Sequence, residues 1–128
     1  MSPSERPLPF AVLLDLAARK AVVVGGSAAA AATASSLACH GASVTVITPS
    51  PCDELARLED DGLLALLRRG YVRGDLAGTF LAVAESGSRE TDAAVAEEAR
   101  ERNVLVRVAG GEGSSFTIPA ADGSADVG

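Results

Sequence analysis

The stretch AVVVGGSAAAAATASSLACHGASVTVIT, residues 21–48, constrains this chain more than any other. A β-branched run (Val22, Val23, Val24) stops at Gly25-Gly26-Ser27, an unbroken series of small residues follows, and a second apolar run (Val44, Val46, Ile47) comes after His40-Gly41. Strand, tight turn, helix and strand in that order form the first half of a dinucleotide-binding unit. Gly25 supplies the sharp turn. Ser27 stands where a second glycine would let backbone approach a pyrophosphate, and Ala30 is the small residue that lets the helix pack on the sheet, so the fingerprint reads G-x-S-x-x-A. The Ser27 side chain is expected to intrude on the phosphate position or to hydrogen-bond there. The helix N-terminus still offers free N–H groups and a positive dipole end.

The remaining chain extends this unit. Residues 7–16 read as an irregular apolar lead-in packed on the sheet edge. Strands are expected over 21–24, 43–48, 63–67, 79–84 and 104–108, and helices over 28–39, 53–60 and 89–102, with the LLALL run of 63–67 also compatible with a helix. Asp53 is expected to cap the second helix. In the third, Val95 and Ala99 should face inward, with Glu97, Glu98 and Arg102 outside. Residues 75–76 make a turn, and 121–128 read as a loose tail. The alternation predicts an α/β, Rossmann-like three-layer fold with a five-stranded parallel sheet in the order 3-2-1-4-5, filling residues 1–120. Ligands bind such sheets beyond the carboxyl ends of the strands. The expected cofactor contacts are therefore Gly25, Gly26, Ser27, Ala28 and Ala29, then Thr48, Pro49 and Ser50, then Ala84, Glu85 and Ser86, with the loop 109–115 beside them. The second strand ends without the acidic residue that usually meets a ribose hydroxyl and without a Lys or Arg for a 2′-phosphate. That favours NAD slightly and leaves NADP open.

Composition narrows the function classes. One domain of 128 residues has 48% apolar residues, much of it alanine, and 3% aromatic, so its core must pack small side chains closely. A net charge of −6 with few aromatics excludes general nucleic-acid and anionic-membrane binding. The N-terminus shows no secretory signal and no run of eighteen apolar residues occurs, so a cytoplasmic protein is expected. Cys39 and Cys52 read as small residues rather than a disulfide, and His40, the single histidine, as a helix-end residue. No metal site is expected.

In order and spacing, PLPFAVLLDLAARKAVVVGG, GASVTVITPSPCDEL, DLAGTFLAVA, AVAEEARERNVLVRV and SSFTIPA resemble the N-terminal module of siroheme synthases, the precorrin-2 dehydrogenase/sirohydrochlorin ferrochelatase family. The likeness covers roughly residues 7–120, and the closing Ser115-Phe116 with Pro119 makes it fairly specific. It implies a Rossmann domain binding NAD, oxidation of precorrin-2 to sirohydrochlorin and, in some members, insertion of ferrous iron. The family turn, Gly-Gly-Gly before an acidic or polar residue and Val-Ala, is Gly25-Gly26-Ser27-Ala28-Ala29-Ala30 here. The basic pair that follows is Ala32-Thr33, the Ala-Thr-Asp-Asp after strand four is Glu85-Ser86-Gly87-Ser88, and the Asn of the next helix is Asp92. The family's Asp after strand five is Ala109, which cannot accept a proton; Glu112 is the weak substitute candidate. Nine residues follow Pro119, so the tetrapyrrole cleft is expected to be incomplete unless a partner completes it.

Three readings follow. The chain is a catalytically impaired NAD-binding relative, favoured by Ser27, Ala109 and the short C-terminus; an active NAD-dependent dehydrogenase; or a tetrapyrrole- or metal-handling subunit working with a protein partner. Monomer and homodimer both remain open.

Overall fold

The computed structural model describes residues 7–118, and the structural statements below refer to those residues. Five strands, β1 (Lys20–Val24), β2 (Ser43–Ile47), β3 (Ala65–Leu67), β4 (Leu81–Ala84) and β5 (Leu105–Val108), pair in parallel in the order β3-β2-β1-β4-β5. Helices α1 (Ala28–Cys39) and α2 (Asp53–Asp60) cover one face, and α3 (Arg89–Arg102) covers the other. This is the expected Rossmann-like sheet. The central strand shows why its run is continuously apolar: Ala21 and Val23 enter the α1/α2 core, whereas Val22 and Val24 enter the α3 core.

Small residues set the α1 packing. Ala30, Ala31 and Ala34 are each at most 1% exposed, so the helix axis lies close to the sheet. Its last turn is closed by His40, whose Nδ1 lies 2.8 Å from the Ser36 carbonyl oxygen. At α2 the cap is Cys52, not Asp53. The Cys52 N–H donates to the Gly26 carbonyl at 2.9 Å, which fixes Cys52 in extended backbone and makes Asp53 the first helical residue, its charge at the positive helix end.

Strand boundaries contract relative to expectation. β2 stops before Thr48, β3 begins at Ala65, β4 at Leu81 and β5 at Leu105. Thr79 is held instead in the preceding turn, its N–H bonded to the Leu76 carbonyl.

Two further expectations are overturned. Glu98 is fully buried, not outside. It accepts hydrogen bonds from the Tyr71 hydroxyl, the Gly74 N–H (3.0 Å), the Leu76 N–H (3.3 Å) and Arg102 Nε (2.6 Å). The 71–76 segment, leading from β3 to β4, has no strand partner for those N–H groups, and a buried carboxylate satisfies them. Burial pushes the Glu98 carboxyl up, but the Tyr71, Arg102 and backbone hydrogen bonds outweigh it and hold it below its ordinary range.

The lead-in does not pack on a sheet edge. Leu8 and Phe10 are both 90% exposed and Leu13 fully so, and Leu16 alone of its apolar residues joins a core. The reason is topological. The chain enters the sheet at β1, in the middle, tied there by Ala18 N–H to Gly41 O and Ser43 N–H to Arg19 O. The outer edge of β5 is already taken: Ser115 Oγ accepts from Val106 N–H at 2.8 Å and Ser114 Oγ from Val108 N–H at 2.7 Å. Pro119 and the expected tail, 121–128, lie outside the described residues.

Candidate functional site

The carboxyl ends of β1, β2 and β4 bring three loops together. Gly25 N–H donates to the Ile47 carbonyl at 3.0 Å, and Glu85 N–H to the Val24 carbonyl at 2.8 Å. A Cβ on Gly25, whose φ is +151°, would lie 2.1 Å from the Glu85 carbonyl oxygen. A Cβ on Gly26 would lie 2.4 Å from the Ser50 carbonyl oxygen and 2.5 Å from Thr48 Oγ1. The glycine pair is thus gripped from both sides by the protein's own backbone. Thr48 is buried and its Oγ1 accepts from Ser50 N–H at 3.2 Å, whereas Pro49 and Ser50 are exposed on the rim. Ala84 is buried in the last position of β4.

Beyond the grip, Ser27, Ala28 and Ala29 are exposed at the start of α1. Ser27 is the N-cap: its Oγ accepts from Ala30 N–H at 3.2 Å. The hydroxyl is therefore turned into the helix rather than thrust into the phosphate position, and its cost to a ligand is one N–H donor. The N–H groups of Ala28 and Ala29 precede the first i→i−4 bond, which joins Ala31 N–H to Ser27 O.

The loop after β4 is held by two side chains that sequence patterns did not single out for this role. Asp92 is nearly buried, and its Oδ1 accepts from Ser86 N–H (3.0 Å) and Ser86 Oγ (2.7 Å). Arg107 Nη2 donates to Glu85 Oε1 at 3.3 Å and to Thr33 Oγ1 at 3.2 Å, linking β5, this loop and α1. Its Nε is buried without a hydrogen-bond partner. A charged residue inside the apolar strand LVRV was the available signal for Arg107.

At the end of β5, Ala109 N–H donates to the Ala84 carbonyl at 2.8 Å. Ala109 and the exposed Glu112 line one cavity of about 690 Å³, with Arg89, Asp92 and Arg100 of α3. Cys39 and Cys52 are unpaired, and no cluster of three His, Cys, Asp or Glu among the described residues is placed to hold a metal. No helix among the described residues is long and apolar enough to cross a membrane.

A family model, NAD_binding_7, described as "Putative NAD(P)-binding", matches residues 12–120. The chain belongs to this family. Its curated relatives include a siroheme synthase of Chromobacterium violaceum, 37% identical over 112 residues, covering 87% of this chain and 24% of that protein. A siroheme synthase of Pseudoalteromonas atlantica is 33% identical over 67 residues, covering 52% of this chain and 14% of that protein. Among solved structures, SirC, precorrin-2 dehydrogenase, superposes with a TM-score of 0.77 at 26% identity, over 88% of this chain and 55% of that one. The chain thus spans a quarter or less of the siroheme synthases it matches and about half of SirC. The family and fold that the sequence resemblance implied are those found, and the family's general ligand class is NAD(P).

Proposed function

We propose that this chain is an NAD(P)-binding module of the siroheme-synthase type in which the dehydrogenase step is impaired. The observation that carries the reading is the pairing of an open α1 N-terminus with an alanine at the end of β5. The residues fit a dinucleotide held through backbone. Ala28 and Ala29 present unused N–H groups at the positive end of a twelve-residue helix, and Gly25 and Gly26 keep the turn tight enough for the neighbouring loops to form the crevice walls. Thr48, Pro49 and Ser50 border the adenosine side, where no carboxylate or basic side chain selects a ribose form; NAD remains favoured and NADP open. Bound there, the nicotinamide would supply a hydride acceptor.

The chain's own share of the chemistry would be to hold and move a proton, and Ala109 offers no group for it. Glu112 favours a second reading, an active dehydrogenase, because it lines the same cavity as Ala109. A third reading is a tetrapyrrole- or metal-handling subunit that works with a partner chain. Anaerobic incubation with precorrin-2 and NAD, following NADH formation, separates them. The proposal expects turnover at or near background despite measurable NADH binding. Robust turnover by the unmodified chain would overturn it and make Glu112 the first residue to replace.

A further inference from the structure

Arg107 is a charge set into an otherwise apolar strand. Its neighbours in β5 are Leu105, Val106 and Val108, and in the sheet register it lies opposite Val83 of β4. Val83 faces the α1 core, and Arg107 shares that face: its Nη2 donates to Thr33 Oγ1 of α1 at 3.2 Å. The same Nη2 donates to Glu85 Oε1 at 3.3 Å, two positions beyond Val83 toward the carboxyl end of the sheet. The Arg107 side chain is 22% exposed and that of Glu85 21%, and Arg107 Nε is buried without an acceptor. Desolvating two ions for one long contact contributes little to stability, and an orphaned buried donor subtracts from it. What the arginine does accomplish is to fix the Glu85 carboxylate in one direction.

Glu85 stands against the glycine turn. Its N–H donates to the Val24 carbonyl at 2.8 Å, and its carbonyl oxygen is the atom a Cβ on Gly25 would meet at 2.1 Å. Arg107 takes Oε1, and Oε2 accepts no hydrogen bond among the described residues. The two glycines face different neighbours: Gly26 abuts Thr48 and Ser50, which follow β2, and Gly25 abuts Glu85, which follows β4. β2 and β4 flank β1 on opposite sides. A dinucleotide whose pyrophosphate meets the Ala28 and Ala29 N–H groups therefore lays its adenosine over the β2 side and its other nucleoside over the β4 side. Carboxylates in such crevices accept ribose hydroxyls. The Thr48-Pro49-Ser50 rim offers none, whereas the β4 side offers Glu85.

Building on the dinucleotide reading, we propose that Glu85 receives a hydroxyl of the nicotinamide-side ribose and that Arg107 is the positioning residue that aims it. A ribose hydroxyl donates to Oε2 in a charge-assisted hydrogen bond while Oε1 stays with the guanidinium. Thr33 holds the guanidinium from the α1 side, so the pair keeps one geometry. Arg107 itself touches no ligand, because its Nη2 is shared between Thr33 and Glu85. Its second effect is electrostatic: it compensates a carboxylate that, left alone beside the α1 N-terminus, would repel the pyrophosphate.

The test is a calorimetric titration of the chain and its variants with ADP-ribose and, separately, ADP, which has the adenosine ribose but lacks the second one. Glu85→Gln keeps the shape and removes the charge. It should weaken ADP-ribose about fivefold or more and leave ADP no weaker, which also shows that the crevice is intact. Arg107→Met should weaken ADP-ribose more than ADP, and Arg107→Lys, which restores a cation within reach of Glu85, should recover most of that loss. The double variant Glu85→Gln/Arg107→Met should bind ADP-ribose no worse than Glu85→Gln alone, because the arginine acts only through the carboxylate; a merely structural role would give additive losses. Saturable ADP binding with ADP-ribose affinity unchanged in Glu85→Gln, a loss in that variant that falls equally on both probes, or additive losses in the double variant would overturn the proposal while leaving the dinucleotide reading standing. Absence of binding by both probes would overturn the two together.

Discussion

Replacing Glu98 tests how the β3-to-β4 segment is held beneath α3. In Glu98→Ala, the Leu76 and Gly74 N–H groups, the Tyr71 hydroxyl and Arg102 lose their common acceptor, a fully buried carboxylate. An orphaned buried donor costs about 1–3 kcal/mol. Arg102 is 42% exposed and can rehydrate, so its share is small. Leu76 N–H is buried and bears the full cost, whereas Gly74 is exposed and Tyr71 half-buried and both can rehydrate in part, so the sum stays near the low end, about 3–5 kcal/mol, a large part of the roughly 5–15 kcal/mol a domain possesses. Glu98→Gln keeps the shape but turns an NH2 toward groups that donate, for about 1–3 kcal/mol. Urea unfolding measures both, with the single tyrosine, Tyr71, as fluorophore beside circular dichroism. The pH dependence follows from the depressed Glu98 carboxyl. Its stabilisation is fully present above the ordinary value of 4.5 and is lost as pH falls through the lower folded value. The gap between parent and Glu98→Ala should therefore be full at neutral pH and narrow under acid. A cost below about 1 kcal/mol at neutral pH, or a gap that acid leaves unchanged, would refute the reasoning.

The remaining predictions concern the crevice and the end of β5. Gly25→Ala would place a methyl 2.1 Å from the Glu85 carbonyl oxygen in a strained backbone region, and should lower the midpoint of thermal unfolding by several degrees or abolish soluble folding. Ser27→Gly should cost only about a few tenths of a kcal/mol as a cap exchange, while freeing the Ala30 N–H and tightening NADH binding about tenfold; fluorescence titration reads it, and unchanged or weaker binding would show that the hydroxyl aids the ligand. Ala109→Asp should raise NADH formation from precorrin-2, by up to about 10²–10⁴-fold if the new carboxylate is positioned as an acid or base; an anaerobic assay reads it, and no gain would show that the end of β5 does not supply the proton group.

The features easiest to read in the sequence were those written in local chemistry. The β-branched runs flanking Gly25-Gly26 specified strands buried on both faces, and the alanines of α1 specified a helix lying close on the sheet. Ser27 at the G-x-S-x-x-A turn marked the strand-to-helix turn but not the direction of its hydroxyl, because capping geometry depends on the N–H that happens to be free. Glu98 looked like an outward charge because helical periodicity describes one element at a time; its acceptor role arises from a loop 22 to 27 residues earlier in the chain. The lead-in misled for a related reason. Its apolar residues signal burial, but the strand it feeds lies in the middle of the sheet and the Ser114-Ser115 pair occupies the β5 edge.

The central claim is that the α1 N-terminus receives a dinucleotide, and backbone-resolved NADH titration tests it most directly. The account predicts saturable binding with the largest amide shifts at Gly26, Ser27, Ala28 and Ala29 and smaller ones at Ser50 and Ser86. Absence of saturable binding, or shifts that leave the Gly26 to Ala29 amides unmoved, would contradict it.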